Sequence, residues 1–299
     1  GYNALKANTA GANTAFGAYA ADANTSGEGN TAAGYNSFSG NTTGSYNTAY
    51  GAGSLAVSNG VNNTATGYNS LGANSTGEKN TAVGKNCLAS NTTGNHNTAV
   101  GNECLDACST GDNNTAMGHS ALGALTTAQA NVAIGKDCML SLTDGDSNTC
   151  VGVEAGQTMA SGGANTCIGK DAGSAILNGG NNVCIGAHAG NQTVDLTTGG
   201  NCILIGNYCH TSITNASYQH VIGYNIQSKG NSTIYLQGNA YNTANTSAFQ
   251  TTSDRRIKKN IVDNTTGLDK INQVRVRNFE YRTLDEITEL DNPASAVIE

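Results

Sequence analysis

The chain has 299 residues, of which 39 are glycine and one is proline; tryptophan is absent, 5% of residues are aromatic, 12% are charged, and the net charge is −7. So few charges exclude a disordered solvating tail, and so few aromatics exclude a large conventional core, which leaves close packing of small residues. Lys and Arg number 6 against 12 Asp and Glu in residues 1–252, and 8 against 9 in residues 253–299, so neither part is basic enough to take nucleic acid as its principal partner.

Residues 1–223 are organised by one short phrase, Asn-Thr-Ala-x-Gly. It runs from Asn13 to Gly17 and returns at Asn30, Asn47, Asn63, Asn80, Asn97, Asn114, Asn131, Asn148, Asn165 and Asn182, with degenerate copies ending at Gly206 and Gly223. The step is 17 residues almost everywhere, with a slip to 16 before Asn63 and a stretch to 20 before Gly206. A fixed period of this size is the signature of one supersecondary unit stacked many times. The chain opens on Gly1-Tyr2-Asn3-Ala4-Leu5, the second half of a repeat, so residue 1 is not expected to be the natural start. No apolar run reaches the roughly 18 residues of a membrane span, and no membrane insertion is expected.

Residues 80–96 nearly spell the consensus, with two apolar pieces, Ala82-Val83 and Cys87-Leu88, separated by Gly84 and followed by Thr92-Thr93-Gly94. Such pieces are too short for helices, and both are expected to be strands. The glycine after the first piece is expected to take a backbone conformation closed to other residues or to permit a close approach. The strand centre is Ala in most copies and Cys in three, so that face admits only small side chains. Its neighbours are Thr or Val before it and Val, Ile, Met, Phe or Tyr after it, so both faces call for burial. The simplest arrangement buries one face in the coil and the other against sister chains about a symmetry axis, a homotrimer. About thirteen coils at roughly 4.8 Å each would make a rod on the order of 60 Å long. The residue after the strand centre drifts from Phe16, Ala33, Tyr50 and Thr66 to Val83, Val100, Ile134, Ile168 and Ile185, which predicts better packing toward the C-terminal coils.

The nine cysteines follow the repeat. Cys150, Cys167 and Cys184 replace the motif alanine, and Cys87, Cys104 and Cys138 stand three residues after the motif glycine, so they read as small buried apolar residues. Neither a Cys-x-x-Cys pair nor a Cys/His cluster stands at ligand spacing, and the five histidines, His96, His119, His188, His210 and His220, fall at different phases, so no metal or cofactor is expected. The motif asparagines are expected to form a ladder of amides between coils. Asn-x-Ser/Thr sequences at Asn24, Asn41, Asn74, Asn91 and elsewhere match a glycan acceptor, but in a chain this rich in Asn and Thr the structural reading is preferred.

Asn131-Val132-Ala133-Ile134-Gly135 and Asn182-Val183-Cys184-Ile185-Gly186 resemble the repeats of trimeric autotransporter adhesin heads, which implies a trimeric, left-handed parallel β-roll. The expected fold is therefore all-β: a parallel β-solenoid of 17-residue repeats over residues 1–223, a neck or linker over 224–252 with one apolar island at Thr233-Ile234-Tyr235-Leu236, and a small α+β segment over 253–299.

That last segment opens Thr251-Thr252-Ser253-Asp254-Arg255-Arg256-Ile257-Lys258-Lys259-Asn260-Ile261, and Gly267-Leu268-Asp269-Lys270-Ile271 and Val276 to Tyr281 follow. It resembles the start of the intramolecular chaperone domain of endosialidase-type tailspikes and phage tail fibres, with Ile257 in place of the usual Leu. The resemblance implies a domain, here incomplete, that drives trimer assembly and then cuts itself from the fibre. It assigns Ser253 as nucleophile, Lys258 as general base and Thr252-Ser253 as the scissile bond. A lysine can act as base where burial lowers its pKa. Read without the resemblance, Ser253 or Asp254 is the N-cap of a helix in a polar loop. The expected function is structural: a trimeric viral tail fibre, in the virion or on an extracellular surface, that contacts a host cell-surface receptor, a glycan being one candidate. Its enzymic activity is at most a single-turnover serine self-peptidase. The alternative is a bacterial trimeric adhesin or extracellular filament subunit without self-cleavage.

Overall fold

The computed structural model describes residues 1–191 and 196–237. Over these the chain is an all-β parallel solenoid with no helix. Fourteen strands, numbered β1 (Thr14–Phe16) to β14 (Thr233–Leu236) in chain order, form one sheet in which each strand pairs only with its sequence neighbours, always in parallel. The register follows the repeat: Thr81, Ala82 and Val83 of β5 (Thr81–Val83) face Thr98, Ala99 and Val100 of β6 (Thr98–Val100). The island at 233–236, read from the sequence as part of a linker, is β14, paired with β13 (Gln219–Ile222). Its Thr-Ile-Tyr-Leu alternation satisfies a sheet edge that β13 would otherwise leave open.

Each turn has one strand, not two. The second apolar piece lies in a turn, because its large residue takes a left-handed backbone: φ is 53° at Phe38, 48° at Leu55, 51° at Leu88 and 54° at Leu122. A left-handed residue cannot continue a strand, but here it swings a bulky side chain inward. Those side chains are fully buried, each contributing about 2 kcal/mol of apolar burial.

The motif glycine combines both expected roles. Gly84 has φ 139°, and a Cβ there would lie 2.1 Å from the carbonyl oxygen of Gly101 in the next turn. Glycines thus stack on glycines, and the coils close to parallel-strand spacing at the corner.

The asparagine ladder is present, but it joins side chains mainly to backbone. Asn114 Nδ2 donates to the Ala128 carbonyl at 2.9 Å and to Asn97 Oδ1 at 3.2 Å, and Asn114 Oδ1 accepts the backbone N–H of Asn131 at 3.0 Å. The same bond recurs from Asn30 N–H to Asn13 Oδ1 at one end to Cys202 N–H to Asn182 Oδ1 at the other. Every such amide satisfies two backbone groups that the strand ladder does not reach.

The interior grades along the axis, though not through the residue after the strand centre. That residue points outward, since a three-residue strand with a buried centre must expose both neighbours. The gradient instead runs through the residue eleven after the motif asparagine: Asn24, Asn41, Asn74 and Asn91, then Cys108, Leu125, Leu142, Met159 and Ile176, all fully buried. Asn41 donates to Asn24, and Asn91 to Asn74, in a second amide column. Asn91 Oδ1 is its unpartnered end, since Cys108 brings no amide. The acceptor sequences at Asn24, Asn41, Asn74 and Asn91 fall on this column, inside the coil.

The cysteines are free and buried, filling a specific space. Where the left-handed inner residue becomes glycine at Gly156 and Gly173, the strand-centre alanine becomes Cys150 and Cys167. A Cβ at Gly156 would meet Cys150 Sγ at 2.9 Å and Met139 Cγ at 3.2 Å, so the thiol occupies the room the leucine leaves.

Candidate functional site

The sheet's outer face is the most extensive candidate surface. A parallel sheet is ordinarily covered on both sides. Here the inner residues Ala82, Ala99 and Ala116 are 0% exposed, whereas Val83, Met117, Ile134 and Ile168 in the adjacent outward column are 37%, 44%, 38% and 39% exposed. Beside that column runs a single row of threonines, Thr81, Thr98 and Thr115, stacked in register. The result, from β5 to β7, is an aliphatic ladder beside a hydroxyl ladder; Val132 and Val183 interrupt the hydroxyl row further along.

Past the glycine corner the surface is polar and charged. Lys136 pairs with Asp137 at 2.6 Å, and that carboxylate holds the exposed ammonium above its ordinary pKa. Lys170 pairs with Asp171, which raises Lys170 in the same way. His188 Nδ1 lies 3.4 Å from Asp171, and its ring stacks on Tyr208 at 4.8 Å with an interplanar angle of 2°. His119 Nδ1 is 3.0 Å from the Ser120 hydroxyl and 3.7 Å from Asp137 Oδ1. Both partners meet the same ring nitrogen, so Asp137 cannot orient His119 toward Ser120, and no relay of nucleophile, base and acid is formed. An open groove beside it is lined by Glu103, Asp106 and Ser120, and burial raises the Asp106 carboxyl. No group of three or more metal-ligating side chains converges among the described residues.

The buried thiols are chemically quiet. Cys150 is raised through its hydrogen bond with Cys138, Cys167 through Cys150 and Cys184 through Cys167, with burial adding to each. Burial pushes Cys108 up to about 11. A thiol held protonated in an apolar column is a poor nucleophile.

Of the residues assigned to self-cleavage, Thr252, Ser253 and Lys258 lie outside the described residues, as does the neck from 238 onward. What sequence reasoning missed is the pairing of Cys150 and Cys167 with Gly156 and Gly173. The signal was present, since each glycine follows its cysteine by six residues.

Residues 253–295 match the family described as the chaperone of endosialidase. No curated protein matches the chain, and no solved structure matches it. The chain therefore joins a parallel β-solenoid to a segment that matches the endosialidase chaperone family.

Proposed function

We propose that this chain is a trimeric fibre protein of a viral tail, made with a C-terminal chaperone that assembles it and then cuts itself away. The observation that carries the reading is the order of parts: a chaperone-family match at 253–295 following a solenoid whose turns are nearly interchangeable. Three such chains can associate one or more turns out of register at little cost per turn. A C-terminal segment that joins the chains first removes that ambiguity. The aliphatic ladder from Val83 to Ile222 is the face on which the chains pack, because it is a continuous apolar column that the coil leaves partly uncovered among the described residues.

In this reading Lys258 takes the proton of the Ser253 hydroxyl as its oxygen attacks the Thr252 carbonyl, the Thr252–Ser253 C–N bond breaks as that proton passes to the Ser253 amine, and water hydrolyses the resulting Thr252 ester, once per chain. The fibre works in the virion or at an extracellular surface and contacts a host receptor. A bacterial trimeric adhesin or extracellular filament without self-cleavage is the second reading, favoured by the head-like repeats at Asn131 and Asn182. Intact mass separates the two. The full-length product is compared with Ser253→Ala and Lys258→Ala; a wild-type fragment ending at Thr252, with both variants uncut, is the expected result. An uncut wild type removes the catalytic assignment and favours the filament.

A further inference from the structure

The outer surface changes character along the axis. Residues 69–207 contain no Phe, Tyr or Trp, whereas residues 1–68 contain eight, of which only Phe38 is in the core. The others are arranged by turn. Tyr2, Tyr35 and Tyr68 follow the motif glycine in alternate turns and are 70%, 63% and 61% exposed. In the intervening turns that place is held by Ala18 and Ala52, and the ring moves to the outward strand position instead, as Phe16 and Tyr50. At these two positions together each of the five turns carries one large ring, in a zigzag, while Tyr46, 64% exposed just before Asn47, stands outside the pattern. Tyr19 braces the first rings edge-on, 5.6 Å from Tyr2 and 6.1 Å from Tyr35.

Tyr35 and Tyr68 are separated by two coils, about 9.6 Å along the axis. Between them Ala52 and Gly53 leave the corner empty, and a Cβ at Gly53 would meet nothing nearer than 4.0 Å. Two flat rings flanking a shallow gap that is two coils long match the step of a disaccharide in an extended chain. A sugar's C–H face stacks on a ring, while its hydroxyls find the tyrosine O–H groups and the adjacent row of Thr31, Thr48 and Thr64. Residues 1–77 carry only Lys6, Asp22 and Glu28 as charged side chains, so no cationic cluster is present to hold an acidic sugar. Packing against a sister chain would call for the aliphatic column to continue, and it begins only at Val83. We propose that the first five turns form a track for an extended, neutral glycan, with Tyr35 and Tyr68 as its stacking platforms. The inference rests on the host-contacting reading above and names the class of receptor.

The test uses the assembled full chain and three neutral β1→4-linked hexasaccharides, those of glucose, mannose and N-acetylglucosamine, followed by calorimetry and by the tyrosine fluorescence of a tryptophan-free protein. Binding of at least one is expected, with Tyr35→Ala and Tyr68→Ala each weakening it about tenfold or more, Tyr35→Phe leaving it within about threefold, and Tyr224→Ala, far along the rod, without effect. If none of the three binds, or binding survives both alanine changes, the proposal is overturned. It is also overturned if the two alanine changes dissociate the assembly in the ultracentrifuge while Tyr35→Phe does not, because the rings then serve contact between chains. A wild type that sediments as a trimer yet binds no glycan sinks this inference alone, whereas glycan binding by a monomer sinks the trimeric fibre and leaves the track.

Discussion

Replacing Asn114 by alanine tests whether the amide ladder holds the coils together. Asn114 is fully buried, and removing its amide leaves the Asn131 N–H and the Ala128 carbonyl with no partner. Each orphaned buried backbone group costs about 1–3 kcal/mol, so the variant should lose about 4 kcal/mol, with little apolar burial lost to blur the reading. Unfolding of a stacked array is not reliably two-state, so a single midpoint is the wrong readout. Native-state hydrogen exchange at the Asn131 amide is the right one. Protection there should fall about a thousandfold, at tenfold per 1.4 kcal/mol, with a smaller loss in turns further away. Asn131 protection within about threefold of wild type would refute the reasoning, because the amide would then be replaceable by water or by a small shift of the coil.

Four other outcomes follow from the same geometry. Gly101→Ala places a Cβ 2.3 Å from the Gly118 carbonyl at φ 146° and should destabilise by more than about 3 kcal/mol, whereas Gly11→Ala, with nothing within 4 Å, should be neutral or stabilise by up to about 1 kcal/mol; native-state hydrogen exchange in the substituted turns compares them. The thiols should resist labelling by a water-soluble disulfide reagent at pH 8 until the chain is unfolded. Because the folded chain keeps the Cys108 proton up to about pH 11 while the unfolded chain releases it near 9.0, its contribution is complete below pH 9 and is lost as pH rises from 9 to 11, at about 1.4 kcal/mol per unit; Cys108→Ser should remove that one thiol's share of the alkaline slope, the other raised thiols keeping theirs. On the proposal that chains pack as a trimer through the outer face, Ile134→Lys should leave the coil's circular dichroism unchanged and abolish the proposed trimer in sedimentation, and a trimer that persists would remove this face from the proposed assembly.

How much of this was legible in sequence depended on whether neighbours along the chain or neighbours across turns decided it. The period, the parallel pairing of like with like, the small strand centre and the glycine corner could all be read from residues 80–96, because a solenoid turns sequence identity directly into spatial register. The site was legible only where a local phrase carries it: Ser253 to Ile261 spells a family opening, whereas the zigzag of Tyr35, Tyr50 and Tyr68 looks irregular until the rings are placed on successive coils.

The amino-acid sequence by itself determined that this chain is a stack of near-identical coils ending in a chaperone-like segment, since a 17-residue period and a nine-residue opening need no third dimension to be recognised. Only the tertiary structure decided which side of each strand is inside. Cys87-Leu88 reads as a strand from its apolar character, but the left-handed backbone at Leu88 turns it into a corner and sends the leucine to the core. Val83, equally apolar, is left outside because its neighbour Ala82 already fills the narrow interior. Hydrophobicity states that a residue gains from burial; the backbone's handedness at each corner determines whether its own coil provides it.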